Sequence, residues 1–496
     1  MSKRVIVVGG GIAGLSAGVY AKKCGFDVTI LESHSIAGGN CTSWRRGDYL
    51  FEGGMHWLTG SKNGEPVNKL WRHIGALDNS VEIHTREPFA QYDYKGTPIK
   101  LSRNIDLTMW HLAEHSSKDF QAIRAMSEAV RRVSKLYMPI SDLRGVKATK
   151  KQRIPASLAF NFLTTSKMLK AYSKVSREEY IAQFKHEGIQ ETFRAFVEEK
   201  SGFFPFLMTF GTLARGDGGF PEGGSLPFVQ RIVDTFERLG GKLLLGTPVE
   251  RVIVENGKAV GVMVAGQRMD TDFVIVTTDT MALEQLFEVP PKASWLDEMR
   301  RETRPTMCVH VALGINADLS AYAERYVWKL EEPIKLADET IEYLGFNNYA
   351  GDTTYNPPGK TAVTIHLTGN SYDFWKAAKA EGCYADEKQK IADKVIVAIE
   401  KQIPETKGKV EVVDVATPLT YERYCGNWKG SWMTEMTTDK MLKMKPYPAV
   451  IDGLSGLYLA GQRLMPPGGL PVALMTGRMA VQHLCKDTGK LFVSEE

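Results

Sequence analysis

The 496-residue sequence predicts an α/β fold: a parallel sheet collected from distant parts of the chain, and a second unit of mixed sheet and helices. Three observations predict it. A β-branched run, Val5-Ile6-Val7-Val8, breaks straight into a glycine-rich turn at Gly9 to Gly14. A second apolar run, residues 27–31, ends on the acid Glu32. Two further runs, 272–276 and 456–461, stand far downstream, so the long segments between must build something else.

Val5 to Val8 has the unbroken apolar character of a strand buried on both faces of a parallel sheet. In the turn, Gly9, Gly11 and Gly14 fit GxGxxG: a tight turn, close backbone approach to a pyrophosphate, and close packing of helix on strand. Ile12 and Ala13 open a helix to about Cys24 whose first amides point at that diphosphate. Glu32, 18 residues beyond Gly14 and followed by Ser33, has the spacing of a carboxylate that accepts ribose hydroxyls. An acid there favours an unphosphorylated adenosine ribose, as in FAD or NAD. Strand, glycine turn, helix, strand and acid in order make a Rossmann-type unit. Two more glycine doublets follow within about 25 residues, Gly38-Gly39-Asn40 and Gly53-Gly54-Met55-His56, where an NAD dehydrogenase would continue into its next strand–helix unit. The doublets resemble the FAD group, in which the chain returns along the cofactor toward the flavin ring.

Residues 240–264 read as a β-meander of three runs, 243–245, 249–254 and 259–264, separated by Gly246-Thr247-Pro248 and Asn256-Gly257. A buried strand at 272–276 ends in Thr277. Residues 456–462 form a strand running into Gly461 and Gln462, then Pro466-Pro467-Gly468-Gly469-Leu470-Pro471 and a helix from about Val472 to Cys485. The expected division is a discontinuous FAD domain, 1–75, 221–299 and 446–496, and a substrate domain, 76–220 and 300–445.

With these motifs in place, the chain resembles the phytoene desaturase, carotenoid isomerase and retinol saturase superfamily. The resemblance rests on VVGGGIAGL (7–15), GGN (38–40), FEGGMHWLTG (51–60), FPEGGSLPFVQ (220–230) and LYLAGQRLMPPGGLPVALMTGR (457–478). It implies a glutathione reductase-like FAD domain and a substrate domain of mixed sheet and helices. It also implies adenine contact near Val249, dinucleotide contact near Thr277, and a last helix whose start at Gly469, Leu470, Pro471 and Val472 stabilises charge on the flavin. Gln462 departs from the acid that amine oxidases of this fold tend to carry after the final glycine, and FEGGMHWLTG looks more like retinol saturase than a bacterial desaturase.

The resemblance implies an FAD-dependent oxidoreductase acting on carbon–carbon double bonds of an isoprenoid, carotenoid, retinoid or other unsaturated lipid. Alternatives are cis–trans isomerisation by reduced FAD, amine oxidation, and a non-catalytic prenyl-lipid carrier. His56 is the candidate acid/base, or else a histidine that hydrogen-bonds cofactor or backbone; Glu52 and Glu222 are alternatives that could equally cap turns. Phe203, Phe204, Phe206, Leu207, Met208 and Phe210 suit an apolar tunnel or ordinary core. A second glycine-rich unit for NAD(P)H is missing, which leaves the electron donor or acceptor open.

Composition sets the frame: 43% hydrophobic, 24% charged and a net charge of only +4, which signals no nucleic-acid partner. The six cysteines show no CxxC pair, and His34, His73, His84, His310 and His366 show no ligand spacing, so a reducing, cytoplasmic setting without metal is expected. No run of about 18 apolar residues suits a membrane span. From 143 to 176 there is no acid, while Arg144, Lys147, Lys150, Lys151, Arg153, Lys167, Lys170 and Lys174 flank Ile154, Leu158, Phe160, Phe162, Leu163, Met168 and Leu169. Such a segment suits either an anionic membrane surface or a solvated helix over a core.

Overall fold

A computed structural model describes residues 2–197, 199, 202–436, 446–465 and 468–494. Five parallel strands lie side by side in the order Leu457–Leu459, Phe273–Val276, Arg4–Val8, Asp27–Leu31, Lys242–Leu244. The central strand is buried from Val5 to Val8, as an apolar run covered on both faces requires. On one face the helix Ile12–Lys23 is wedged between the sheet and the C-terminal helix Gly469–Thr488. Those two helices touch so closely at Gly477 that a Cβ there would stand 2.4 Å from the Ala13 carbonyl oxygen.

One expectation about the strands is corrected. The run at 243–245 does not begin the meander; Lys242–Leu244 joins the parallel sheet beside Asp27–Leu31. The preceding helix, Ser225–Arg238, acts as the crossover that returns the chain alongside that strand, after which Gly240 turns it at φ +78°. The antiparallel meander is instead Val249–Glu255, Lys258–Val264 and Gln267–Asp270.

A seven-stranded mixed sheet forms the second unit, in the order Val410–Ala416, Cys308–Ile315, Thr361–Thr368, Glu339–Asn348, Arg325–Leu336, Ala90–Tyr94, Thr97–Leu101. Side chains alternate between its faces. Val309, Val311, Val363, Ile365, Phe346 and Trp328 point to one side, in a single core with Val395 and Ile399 of the helix Tyr384–Gln402. The opposite face carries His310, His366, Thr364, Asn347 and Arg325, each pair in direct register or two residues apart. Helices Ile105–His115, Phe120–Val133, Ala156–Tyr172, Glu187–Phe196 and Phe203–Ala214 pack around their own core beside it.

The units interlock. The hairpin Ser43–Arg46/Tyr49–Glu52 follows the first two strands of the parallel sheet in sequence, yet Tyr49, Leu50 and Phe51 pack on Ala312 and Ala362 of the seven-stranded sheet. Conversely, the start of the basic segment is stitched to the C-terminal helix: Asp142 pairs with Arg478, and the Leu143 amide donates to Gln482 Oε1 at 2.9 Å. Of residues 143–176, Lys150, Lys151, Arg153 and Ile154 are exposed, and the helix Ala156–Tyr172 adds exposed Phe160 and Leu163.

Candidate functional site

The turn between Arg4–Val8 and Ile12–Lys23 closes so tightly that a Cβ on Gly14 would fall 1.9 Å from the Gly9 carbonyl oxygen. Gly9 itself sits at φ +103°, and Thr277 Oγ1 donates to the Val8 and Gly9 carbonyls at 2.9 and 3.0 Å, pinning the turn to the neighbouring strand. A Cβ on Gly11 would meet nothing nearer than 3.8 Å, because Gly11 faces open space.

That space is a cavity of about 630 Å³. Gly9, Gly11, Ile12, Ala13, Glu32 and Ser33 line it from the first sheet. Gly38, Gly39, Asn40, Gly53, Gly54 and His56 line it from the returning chain, and Thr277 from the next strand. Gly461, Gln462, Gly469, Leu470 and Pro471 close it from the C-terminal stretch; Pro466 and Pro467 lie outside the described residues. Helices Ile12–Lys23 and Gly469–Thr488 both begin at this wall, and neither start is capped by its N-cap residue's side chain. Buried Glu32 accepts from the Gly10 amide at 2.6 Å and the His34 amide at 2.8 Å, which orients its carboxylate at the cavity wall. Two open helix starts and one fixed acid could hold the diphosphate and ribose of a dinucleotide.

Four expected residues do not line this cavity. Gly14 lies beneath the turn, Met55 is buried with its amide on Glu52 Oε1 at 3.1 Å, and Val472 is buried in the last helix. Val249 packs with Val274 and Val276 in the core under the meander. The chain reaches the Glu32 end two residues earlier, where the Thr247 amide donates to the Glu32 carbonyl at 2.8 Å.

Neither alternative acid faces a cavity. Glu52 is fully enclosed, taking bonds from Ser225 N at 3.0 Å, Ser225 Oγ, the Met55 amide and Tyr355 OH, and so caps the helix Ser225–Arg238. Burial raises its pKa. Glu222 is exposed on the surface.

A second cavity, about 580 Å³, meets the first at a shared wall of His56, Trp57, Pro205, Thr209 and Trp432. Its lining is largely apolar, with Phe89, Phe196, Phe206 and Ile341 among its walls. The phenylalanine-rich helix therefore divides its roles: Phe206 faces this cavity and Met208 the first, while Phe203, Phe204, Leu207 and Phe210 are core. At the junction the His56 ring stands edge-on to Trp432 and His366, with centroids 4.9 and 4.6 Å away. The atoms His56 Nε2 and Trp432 Nε1 are buried and have no protein hydrogen-bond partner. Such orphaned polar atoms suit a bound group that supplies the missing bonds. The Trp432 carbonyl accepts from Gln462 Nε2 at 2.9 Å, and Gln462 Oε1 accepts from the Gly469 amide at 3.1 Å, so Gln462 ties this junction to the start of the last helix.

Behind His56 runs a string that the sequence did not bring together. His366 Nε2 meets His310 Nδ1 at 3.1 Å, and Tyr421 OH lies 3.4 Å from the same nitrogen. Burial depresses His310 to about 4 and His56 to about 3, the latter helped by the Arg325 charge; His366 is likewise driven well below its ordinary value. All three imidazoles are neutral near pH 7. His56 consequently offers a hydrogen bond, and an imidazolium acid role at that position is disfavoured.

The sequence matches the flavin containing amine oxidoreductase family over residues 12–485. The chain belongs to that family. Its cofactor class is therefore a flavin, and it is a flavin-dependent oxidoreductase. Among curated relatives, phytoene desaturase of Fusarium fujikuroi is 23% identical, the alignment covering 99% of this chain and 90% of that protein. All-trans-retinol 13,14-reductase of Danio rerio is 22% identical over 86% of this chain and 76% of its own. Prolycopene isomerase 2 of an Oncidium hybrid cultivar is 22% identical over 98% and 84%. Among solved structures, an oxidoreductase from Methanosarcina mazei superposes with TM-score 0.58 at 18% identity, covering 97% of this chain and 100% of that one. Cyclohexylamine oxidase from Brevibacterium oxydans superposes with TM-score 0.60 at 13% identity, covering 99% and 100%. These structures share the fold of this family member. Among the described residues no cluster of His, Cys, Asp or Glu could hold a metal, and no helix is long and apolar enough to cross a membrane.

Proposed function

We propose that the protein is an FAD-dependent oxidoreductase that saturates or desaturates a carbon–carbon double bond in a hydrophobic, isoprenoid-like substrate. The observation that carries this reading is the junction of two cavities at His56 and Trp432, one lined by the glycine turn, Glu32 and the start of the last helix, and one walled mainly by apolar side chains. FAD is favoured over a mononucleotide because Glu32 and Ser33 line the same cavity as His56 and Gln462, which leaves room for an adenosine end. The curated relatives named for desaturation, isomerisation and reduction of polyenes support the bond type. Gln462, in place of an acid, weighs against amine oxidation.

Bound flavin supplies hydride transfer at N5. The chain's own task is to exclude water, hold a double bond against the junction, and furnish hydrogen bonds there. The His56 and Trp432 rings beside that point each carry a ring nitrogen that no protein group satisfies. Behind that point the neutral His366 and His310, hydrogen-bonded to each other, fix the polar backing of the His56 ring.

The deciding experiment is anaerobic: the purified yellow protein is reduced with dithionite and offered polyenes, retinoids and unsaturated fatty acids while flavin absorbance is followed. Return of the oxidised band with one lipid supports saturation and gives its substrate class. Altered double-bond geometry without reoxidation replaces this reading with isomerase chemistry.

We further infer that the helix Ala156–Tyr172 meets an anionic membrane surface. Phe160 and Leu163 are 63% and 72% exposed, among the exposed Lys167, Lys170 and Lys174, while Phe162 of the same helix lines the first cavity. One helix thus faces the solvent with apolar side chains and roofs the site with another, an arrangement suited to taking a lipid from a bilayer.

A further inference from the structure

We propose that the substrate is not a pure hydrocarbon but an amphiphile with a carboxylate head, and that Arg325 receives that head inside the second cavity. The inference rests on the reading that this cavity holds the substrate, and it narrows the chemical class.

Arg325 projects from the cavity face of the seven-stranded sheet, directly across from Asn347, whose Oδ1 accepts from Arg325 Nη1 at 3.1 Å. Among the described residues that is the one hydrogen bond of its side chain, and no carboxylate lies within ion-pair distance of it. Burial lowers its pKa to about 10, so the guanidinium stays charged at neutral pH, and its field reaches His56 and His366. A guanidinium held away from bulk water without a counter-ion is costly unless an anion completes it.

The cavity's own carboxylates are engaged elsewhere. Glu324 pairs with Arg103 at 3.1 Å and accepts from the Arg86 amide at 3.2 Å. Asp352 accepts from the Thr354 amide at 2.9 Å, holding a turn. Arg86, also on the wall, gives three of its five N–H groups to the carbonyls of Asn348, Ser320 and Tyr322 and feels the Glu324 and Asp318 charges. Arg325 is left as the wall guanidinium with no acid beside it and most of its donor groups to spare, in a cavity whose lining also carries Phe89, Phe196, Phe206 and Ile341. A hydrocarbon alone would seal that charge beneath apolar atoms. A carboxylate matches the planar fork of the guanidinium and neutralises its single charge, while the unsaturated tail runs along the phenylalanines to the His56–Trp432 junction.

The test uses flavin-loaded full-length protein and matched probes: linoleic acid against methyl linoleate, and retinoic acid against methyl retinoate. Binding is read from perturbation of the flavin spectrum. The wild type is expected to bind each acid about 30-fold more tightly than its ester, or better. Arg325→Gln should erase that preference by weakening the acid and leaving the ester unchanged, whereas Arg325→Lys should keep the acid within about tenfold. Retained flavin and an unaltered far-UV circular dichroism spectrum establish that Arg325→Gln is folded. Equal binding of acid and ester, or an acid affinity indifferent to Arg325→Gln, overturns the proposal. Failure of the double-bond reading looks different: the acids bind through Arg325 yet no lipid exchanges electrons with the flavin. Conversely, reoxidation of reduced flavin by neutral polyenes at the same rate in wild type and Arg325→Gln overturns the carboxylate head and leaves the double-bond chemistry standing.

Discussion

His310 and His366 stand directly opposite each other on adjacent antiparallel strands, and their facing nitrogens, Nδ1 and Nε2, are 3.1 Å apart. One of the two must donate and the other accept, so the contact requires that at least one ring be unprotonated at that point. Desolvation enforces this by disfavouring charge on both.

Stability should therefore fall on acidification. The unfolded chain protonates these histidines near 6.5, the folded one only at about 4 for His310 and about 3 for His56. Because the folded values are depressed, the unfolded state takes up more protons as pH drops below 6.5, and the loss continues toward pH 3 to 4. Each such histidine contributes a slope of up to about 1.4 kcal/mol per pH unit. Urea unfolding between pH 4 and 7 should show that slope, and the double variant His310→Phe with His366→Leu should flatten it. An unchanged slope would contradict a desolvated string.

Gly14→Ala should release the flavin. The added methyl would overlap the Gly9 carbonyl oxygen, forcing apart the turn that offers its amides to the first cavity. Overpacking of this kind costs about 1–3 kcal/mol. Flavin retention through gel filtration is expected to fall at least about tenfold, with a lowered melting temperature.

Asp279 and Arg463 form a buried ion pair, with two contacts of 2.7 Å, and Asp279 also receives the Trp428 amide at 2.9 Å. Asp279→Ala should destabilise the protein by about 3–5 kcal/mol, measured by denaturant unfolding, because it strips a carboxylate from an enclosed guanidinium. Since Arg463 also holds Ser431 at 2.7 Å, next to Trp432, the change should alter flavin absorbance as well.

His56→Ala should keep the flavin and lower turnover by about 100–1000-fold, a loss on the scale of removing a hydrogen bond made at the reacting centre. Steady-state rates with the substrate identified by flavin reoxidation provide the check. Full turnover would leave His56 as a wall and nothing more.

Replacing Phe160 and Leu163 together by Asp should abolish co-sedimentation with phosphatidylserine vesicles at low salt while leaving the flavin spectrum intact. Both side chains point outward, so the fold should tolerate the change. Wild-type protein that ignores such vesicles would rule out membrane docking through this helix.

The first cavity was legible because its determinants are local: Val5 to Gly14 encode strand, turn and helix within ten residues, and Glu32 follows at a fixed spacing. The second was not. Arg325, Asn347 and His366 belong to separate strands and come together only through sheet register, which a single sequence does not display. Residues 243–245 misled for a related reason, since a short apolar run beside a meander looks the same whether it pairs forward or back across a helix. Glycines constrained the backbone visibly; an unpaired charge became visible only once its surroundings had formed.

The strict alternation of the seven-stranded sheet assigns stability and recognition to separate sets of positions one residue apart. Val363, Ile365 and Leu367 answer to the packing of helix Tyr384–Gln402, and His366 and Thr368 answer to whatever enters the cavity. A lineage could therefore exchange its ligand by rewriting every second residue of these strands, with the scaffold undisturbed, and divergent substrates on a shared frame are the outcome such a geometry permits.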